Sequence, residues 1–336
     1  MVTGWQFVRL YLYLTTKCNF SCSHCFVGEE RKRLKPIHID LNLVRQFLDD
    51  FVTEKTKSIN LTGDGNPILH PQFKEIIRLC KMKVPTVSVN TRGPIPRELL
   101  DWMAEYGVVV YYSIDWFGEM NDEQCGFKNL WKHQINTIME MAKRRMKIAV
   151  RTTLMRYNLP DCLQLIRLVE NLRMRGVDIV FECMPYLPYH TTEMTPTREQ
   201  VKQLMLVCLS KDFCRLLIPG WTCVFPPFRD RAKRWWGNGQ RLCESGRPYG
   251  RLAIKETGEL LPCPFEMYTV GKYERRYGEW VIDKEKLFIE LQEYLDLLSI
   301  PPRCKKCRFV DVCSGGCRIV QQLTGDQENC PIPDLF

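Results

Sequence analysis

The chain has 336 residues, 45% of them hydrophobic, which is enough for one large domain and a smaller one with a sizeable core. No stretch approaches the ~20 apolar residues of a membrane helix, and the opening MVTGWQF has neither a charged n-region nor an apolar h-region, so a cytoplasmic location is expected. The net charge of +9 is carried by basic runs at Arg31–Lys35, Lys143–Lys147 and Arg229–Arg234. These read first as solvated faces and helix ends, and second as a surface for an acidic peptide or carboxylate-rich molecule; no nucleic-acid module accompanies them.

In chain order, the pattern alternates strand and helix. Strands are expected at Phe7–Thr15, Ser58–Leu61, Thr86–Asn90, Val108–Ile114, Ile148–Leu154 and Asp178–Cys183. Helices are expected at Leu41–Thr53, Gln72–Lys81, Arg97–Tyr106, Leu130–Arg145, Asp161–Arg175 and Arg198–Leu209. Thr197 ahead of Glu199 and Gln200 is a helix-start signal, and Pro160 opens another helix. Strands spaced roughly 20 to 40 residues apart, with helices between, indicate βαβ units and a parallel sheet. In such folds ligands bind at the C-terminal ends of the strands.

The most informative string follows the first strand. Cys18, Cys22 and Cys25 form CNFSCSHC, a CxxxCxxC. Three thiolates on one short loop can hold three irons of a [4Fe-4S] cube and leave the fourth open. A zinc ribbon needs two CxxC pairs instead, and a disulfide framework belongs to small secreted domains.

Here the chain resembles the radical S-adenosylmethionine (SAM) superfamily, which places CxxxCxxC after the first strand of a partial (β/α)6 barrel. His24 stands where the family usually has an aromatic residue. Leu61–Pro71, LTGDGNPILHP, is similar to the family's GGEP segment, whose backbone meets the methionine amine of SAM. Gly63, Asp64, Gly65, Asn66 and Pro67 match it, with Asn66 in place of Glu. Ser88–Gly93, with Asn90, resembles the turn after the third strand, and Tyr111–Asp115 resembles the fourth, whose Ser113 and Asp115 would face the ribose. Arg151 in the fifth strand faces either the lumen, toward a SAM or substrate carboxylate, or a helix salt bridge. Tyr186, Tyr189 and His190 are expected near the barrel mouth, more as structural than as substrate-touching residues.

Beyond about Leu216 the periodicity breaks, and after Cys223 comes a second set of seven cysteines: Cys243, Cys263, Cys304, Cys307, Cys313, Cys317 and Cys330. Cys263 closes Gly258-x4-Cys263 in an expected hairpin turning at Glu256–Gly258. The set matches the SPASM pattern of radical SAM enzymes: Gx4C, Cx2Cx5Cx3C and a final Cys. The domain division expected is 1–215 for the radical SAM core and 216–336 for a small cysteine-rich SPASM domain.

The resemblance implies two auxiliary [4Fe-4S] clusters. Cys304, Cys307, Cys313 and Cys330 would hold the outer one, and Cys243, Cys263 and Cys317 the inner one. Either Cys223 completes the inner cluster or that cluster has an open iron. A zinc site at Cys304–Cys317 is the alternative, but it leaves Cys243, Cys263 and Cys330 unexplained. Cys80, Cys125, Cys162, Cys183, Cys208 and Cys214 read as core residues.

The implied activity is reductive cleavage of SAM to methionine and a 5′-deoxyadenosyl radical, which abstracts hydrogen from the substrate. The favoured substrate is a peptide or protein side chain, oxidatively modified as in maturases, with an external one-electron reductant such as ferredoxin or flavodoxin. Pro264 and Phe265 after Cys263 argue against the sulfatase-maturing branch, which has Asp there. Only seventeen residues precede Cys18, too few for a fused peptide-recognition domain of ~80 residues, which leaves room for a separate recognition protein. The alternatives are a tetrapyrrole side-chain decarboxylase or other cofactor-maturation enzyme and, in a different class, a non-catalytic iron–sulfur electron carrier. No acid–base residue is singled out.

Overall fold

The computed structural model describes residues 5–28, 31, 35–187, 191–216, 250–297, 305, 306 and 319. The chain divides into two compact units, residues 1–112, 125–148 and 244–297 in the first and 113–124, 149–243 and 298–336 in the second.

The first unit begins as the periodicity predicts. Strand β1 (Arg9–Tyr13) leads by way of helix α1 (Leu41–Phe51) to β2 (Ser58–Thr62), then α2 (Phe73–Lys83), β3 (Thr86–Thr91), α3 (Arg97–Glu105) and β4 (Val109–Ser113). Pairing is parallel: Leu10 sits opposite Ile59, Ile59 opposite Val87, and Val89 opposite Val110. β1, β2 and β3 carry apolar runs because both faces of such a sheet are covered; Leu10, Leu12, Ile59, Leu61, Val87 and Val89 are wholly buried. α1 shows why helices cover it. Leu43, Val44, Phe47, Leu48 and Phe51 recur at helical spacing and are buried. Asp40 caps it by accepting from the Asn42 and Leu43 amides at 2.7 and 3.4 Å.

The expected hairpin forms as β8 (Arg251–Ile254) and β9 (Glu259–Leu261), after α4 (Glu119–Cys125), α5 (Leu130–Lys143), β5 (Ile148–Leu154), α6 (Leu159–Met174), β6 (Ile179–Pro185), α7 (Arg198–Leu209) and β7 (Cys214–Leu216). The sequence does not indicate where this hairpin packs. β8 lies parallel to β1, Leu12 opposite Ile254, so the β8–β9 turn sits at the same end of the sheet as the cysteine loop. β9 pairs with β10 (Gly271–Lys272), a ribbon joins β11 (Glu274–Arg276) to β12 (Glu279–Val281), and α8 (Lys284–Asp296) buries Leu287, Leu291 and Tyr294.

In the second unit the strand order is β5-β6-β7, with Phe181 opposite Cys214. α6 begins with Pro160 in its first turn, and α7 carries the reciprocal Thr197–Gln200 capping box. Residues 217–249 lie outside the described part. Among the described residues no helix is long and apolar enough to cross a membrane.

Candidate active site

β1 ends at Tyr13, and the chain leaves the sheet through a turn held by Thr15. The Thr15 hydroxyl donates to the Ile37 carbonyl at 2.9 Å, accepts from the Lys17 amide at 3.0 Å and lies 2.9 Å from His38 Nδ1. Cys18, Cys22 and Cys25 follow, each partly exposed. The Cys25 amide donates to Cys22 O and the Gly28 amide to Cys25 O, both at 3.1 Å, so the loop winds tightly around its thiols. Phe20 anchors it: the ring is buried, 5.2 Å from that of Phe127, and faces Gly93. Gly93 has φ +90°, and a Cβ there would meet the Phe20 ring at 2.3 Å, so glycine is required on both counts.

The Gly63–Pro67 loop after β2 is joined to this one through the backbone. The Gly65 amide donates to Thr15 O at 2.9 Å and the Asn66 amide to Lys17 O at 2.8 Å. A Cβ on Gly65 would lie 2.2 Å from Lys17 O, a separation no side chain tolerates. Asn66 is buried and engaged on both sides, its Nδ2 donating to Arg92 O at 3.3 Å and its Oδ1 accepting from Thr91 Oγ1 at 2.8 Å. It ties the loop to the end of β3. Asn90 belongs to a polar ladder between β2 and β3: Asn60 Nδ2 donates to Ser88 Oγ at 2.8 Å, and Asn90 Nδ2 to Thr62 Oγ1 at 3.2 Å.

Three charged residues that the sequence reading passed over complete this end of the sheet. Arg31 opens the basic run expected to be a solvated face. Its NH1 instead donates to Cys25 Sγ at 3.4 Å and to Asp64 O at 2.8 Å, and its NH2 donates to Phe20 O at 3.1 Å. Lys255, in the β8–β9 turn, pairs with the Asp64 carboxylate at 3.0 Å. Next to it Glu256 is buried, and its Oε2 has no hydrogen-bond partner. Burial first, then the Asp64 charge, pushes the Glu256 carboxyl up to about 7. Burial opposes the Lys255 charge, but Asp64 and the neighbouring glutamates hold its pKa above the ordinary value. Only the β8–β1 pairing brings these residues here, and no short motif encodes it.

Burial raises the Cys18 thiol, the Phe20 amide and Arg31 lower it, and Cys22 and Cys25 raise it again. Arg31 responds in turn: burial opposes its charge, while Cys25, Cys18 and Cys22 together raise its pKa. The three thiols therefore share one electrostatic environment with one cation. Among the described residues no three Cys, His, Asp or Glu side chains gather around a single ion. The donor set, three partly exposed thiols on one short loop beside a guanidinium, fits a three-thiolate [4Fe-4S] cluster.

Ser113, Asp115 and Arg151 fall in the second unit. Asp115 is buried, its Oδ1 accepting from the Thr153 amide at 2.7 Å and its carbonyl from Asn158 Nδ2 at 2.8 Å. Arg151 pairs with Glu182 of β6 at 2.8 Å, and Arg215 reaches the other oxygen of the same carboxylate at 3.0 Å. The salt bridge considered for Arg151 thus forms with a strand rather than a helix. Cys263 is buried just past β9, and Tyr13 donates its hydroxyl to the adjoining Pro264 carbonyl. Tyr186, just past the end of β6, is buried. Cys223, Cys243, Cys304, Cys307, Cys313, Cys317, Cys330, Tyr189 and His190 lie outside the described residues.

Residues 12–169, which hold both loops, match the radical SAM superfamily. The chain carries a radical SAM domain. A tungsten-containing aldehyde ferredoxin oxidoreductase cofactor-modifying protein of Pyrococcus furiosus is 34% identical over 111 residues, 32% of this chain and 30% of that protein. The sporulation killing factor maturation protein SkfB of Bacillus subtilis is 29% identical over 147 residues, 43% of this chain and 35% of that one. The chain therefore spans about a third of the length of these curated relatives. Among solved structures, Streptococcus suis SuiB bound to its precursor peptide SuiA superposes with TM-score 0.69 at 13% identity, covering 97% of this chain and 74% of that one. anSMEcpe with bound AdoMet and the Cp18Cys peptide gives 0.66 at 16% identity, covering 97% of both chains. At these identities the likeness establishes the fold: an α/β architecture with the parallel-strand sheet of the radical SAM partial barrel.

Proposed function

We propose that this protein is a radical SAM/SPASM oxidoreductase that modifies a peptide or protein side chain. The observation that carries the reading is the joining of Cys18, Cys22 and Cys25 to Gly63–Pro67 through the Gly65 and Asn66 amides, inside the segment matching the superfamily. Cys18, Cys22 and Cys25 would hold a [4Fe-4S] cube, which would supply the electron for cleaving SAM to methionine and a 5′-deoxyadenosyl radical. The protein's own part is to hold that site. Gly65 allows the two loops to touch, Asn66 fixes the second loop to β3, and Phe20 wedges the first against Gly93. A role toward SAM is proposed for Asn90 in the first unit and, separately, for Ser113, Asp115 and Arg151 in the second.

The seven C-terminal cysteines support the SPASM assignment, with two auxiliary clusters, Cys223 or an open iron completing the inner one, and a boundary near 215. Cys263, in a buried turn tied to β1 through Tyr13, is consistent with a ligand position beside the core. A peptide substrate, with or without a separate recognition protein, is favoured by the SkfB relative and by the peptide-bound structures with the same fold. A cytoplasmic setting with ferredoxin or flavodoxin as reductant suits such clusters. One observation favours the second reading, cofactor maturation: the Pyrococcus relative is a cofactor-modifying protein.

Anaerobic reconstitution with iron, sulfide, SAM and dithionite tests the core assignment. 5′-Deoxyadenosine is expected at more than stoichiometric yield. Its absence from protein carrying a full complement of iron would leave an electron carrier as the better description.

A further inference from the structure

Among the described residues, Arg31 bonds both a candidate cluster thiol and the adjoining Gly63–Pro67 loop. Its guanidinium meets Cys25 Sγ at 3.4 Å, Asp64 O at 2.8 Å and Phe20 O at 3.1 Å. Three acceptors in three directions need a planar fork of donors, which arginine supplies and lysine does not. Asp64 is gripped from its other side as well, since its carboxylate pairs with Lys255 at 3.0 Å. The Asp64 peptide thus sits between two cations from distant parts of the chain, one six residues past Cys25 and one in the β8–β9 turn.

We propose that Arg31 is a positioning residue that sets the reduction potential of the cluster at Cys18, Cys22 and Cys25 and transmits the state of the Asp64 loop to it. The inference rests on the radical SAM reading of this site. An N–H donor and a positive charge at a ligand sulfur stabilise the more negative, reduced state of a cluster, so they raise its potential. The same guanidinium holds the Asp64 carbonyl. Any displacement of the Gly63–Pro67 loop when SAM enters therefore changes the hydrogen bond at Cys25 Sγ. Reduction and SAM occupancy become coupled through one side chain, and the coupling is reciprocal: SAM alters the potential, and reduction alters SAM affinity by the same factor.

The test uses the reconstituted full chain with Arg31→Gln and Arg31→Lys. The cluster is followed by the EPR signal that changes on adding SAM and that disappears when Cys18, Cys22 and Cys25 are replaced together. The expected order of midpoint potentials is wild type highest, Arg31→Lys lower and Arg31→Gln lowest. The displacement of the potential by SAM should shrink in both variants. SAM binding, measured by equilibrium dialysis, should weaken roughly tenfold in Arg31→Gln, the value of one charge-assisted hydrogen bond. Should Arg31→Gln fail to retain iron, Arg31→Lys decides. A lowered potential in the loaded lysine variant supports the proposal. A wild-type potential and a wild-type SAM-induced displacement in any loaded variant overturn it. A wild type with no SAM-responsive signal would instead defeat the radical SAM reading itself.

Discussion

The two kinds of cysteine in the described chain have the same chemistry and opposite surroundings. Cys18, Cys22 and Cys25 sit on a loop, partly exposed, with a guanidinium at hydrogen-bond distance from Cys25. Cys162, Cys183, Cys208 and Cys214 of the second unit are wholly buried on α6, β6, α7 and β7. Burial and contact with Cys162 hold the Cys183 thiol well above its ordinary pKa, and contact with Cys208 and burial do the same for Cys214. A thiol becomes a ligand only as a thiolate, so access and a nearby cation separate the two classes. Buried thiols instead pack as small hydrophobes. Cys125 stands between them: it is buried, yet accepts from Arg92 NH1 at 2.7 Å, and its carbonyl receives the Ser21 amide of the cysteine loop.

The largest effect should come from replacing Cys18, Cys22 and Cys25 together with Ala. The protein should lose one cluster, about four irons, and all 5′-deoxyadenosine formation. Iron analysis and chromatography of the product check this, and SAM cleavage surviving in that variant would place the chemistry elsewhere. Gly65→Ala comes next. Its methyl would overlap Lys17 O, so the two loops must part. A loss of about 1–3 kcal/mol in unfolding free energy is expected, with poorer cluster loading. Unchanged denaturant midpoint and iron content would show that the loop contact is not needed.

Glu256 extends the comparison from thiols to carboxylates, because it too is buried without full pairing. Its carboxyl titrates near 7 in the fold against 4.5 in the unfolded chain. The folded state therefore binds the extra proton between those values, and this carboxyl's contribution to stability is fully present below about pH 4.5 and is lost as pH rises through about 7. At about 1.4 kcal/mol per pH unit, the contribution lost is about 3 kcal/mol. Glu256→Gln should flatten the stability profile across the part of this window where the protein is soluble, measured by urea unfolding at several pH values. An equally steep decline in the variant would assign the slope to another group.

Much of this was legible before the fold was known. The strands from β1 to β6 fall within two residues of their expected ends because their apolar runs are short and bounded, and the cysteine loop and the Gly63–Pro67 loop follow β1 and β2. Three things were not legible. β8 beside β1 is a contact between residues about 240 apart, and nothing local in either strand names its neighbour. Arg31 looks like any member of a basic run until the loop folds back on it. α8 holds Leu287, Leu291 and Tyr294 at helical spacing, but charged residues between them dilute the pattern. Asn66 departs from the Glu of the family segment in the sequence itself, but its engagement with Thr91 and Arg92 depends on how close β3 ends to it.

The smallest effect tests the core side of the comparison. Cys214 is wholly buried on β7, and its thiol contacts that of Cys208 on α7. Cys214→Ala removes one sulfur from a packed site and leaves Cys208 without that contact. The lost packing and one weak hydrogen bond should together cost about 1 kcal/mol, seen as a lower urea midpoint with an unchanged slope. Iron content and 5′-deoxyadenosine yield per folded molecule should match the wild type, because no thiolate has been removed from a cluster. A loss of iron in this variant would break the division between the two classes, since a residue with every sign of a core thiol would then be a ligand. Equal iron with the expected modest destabilisation would place Cys214 among the core thiols rather than the ligands.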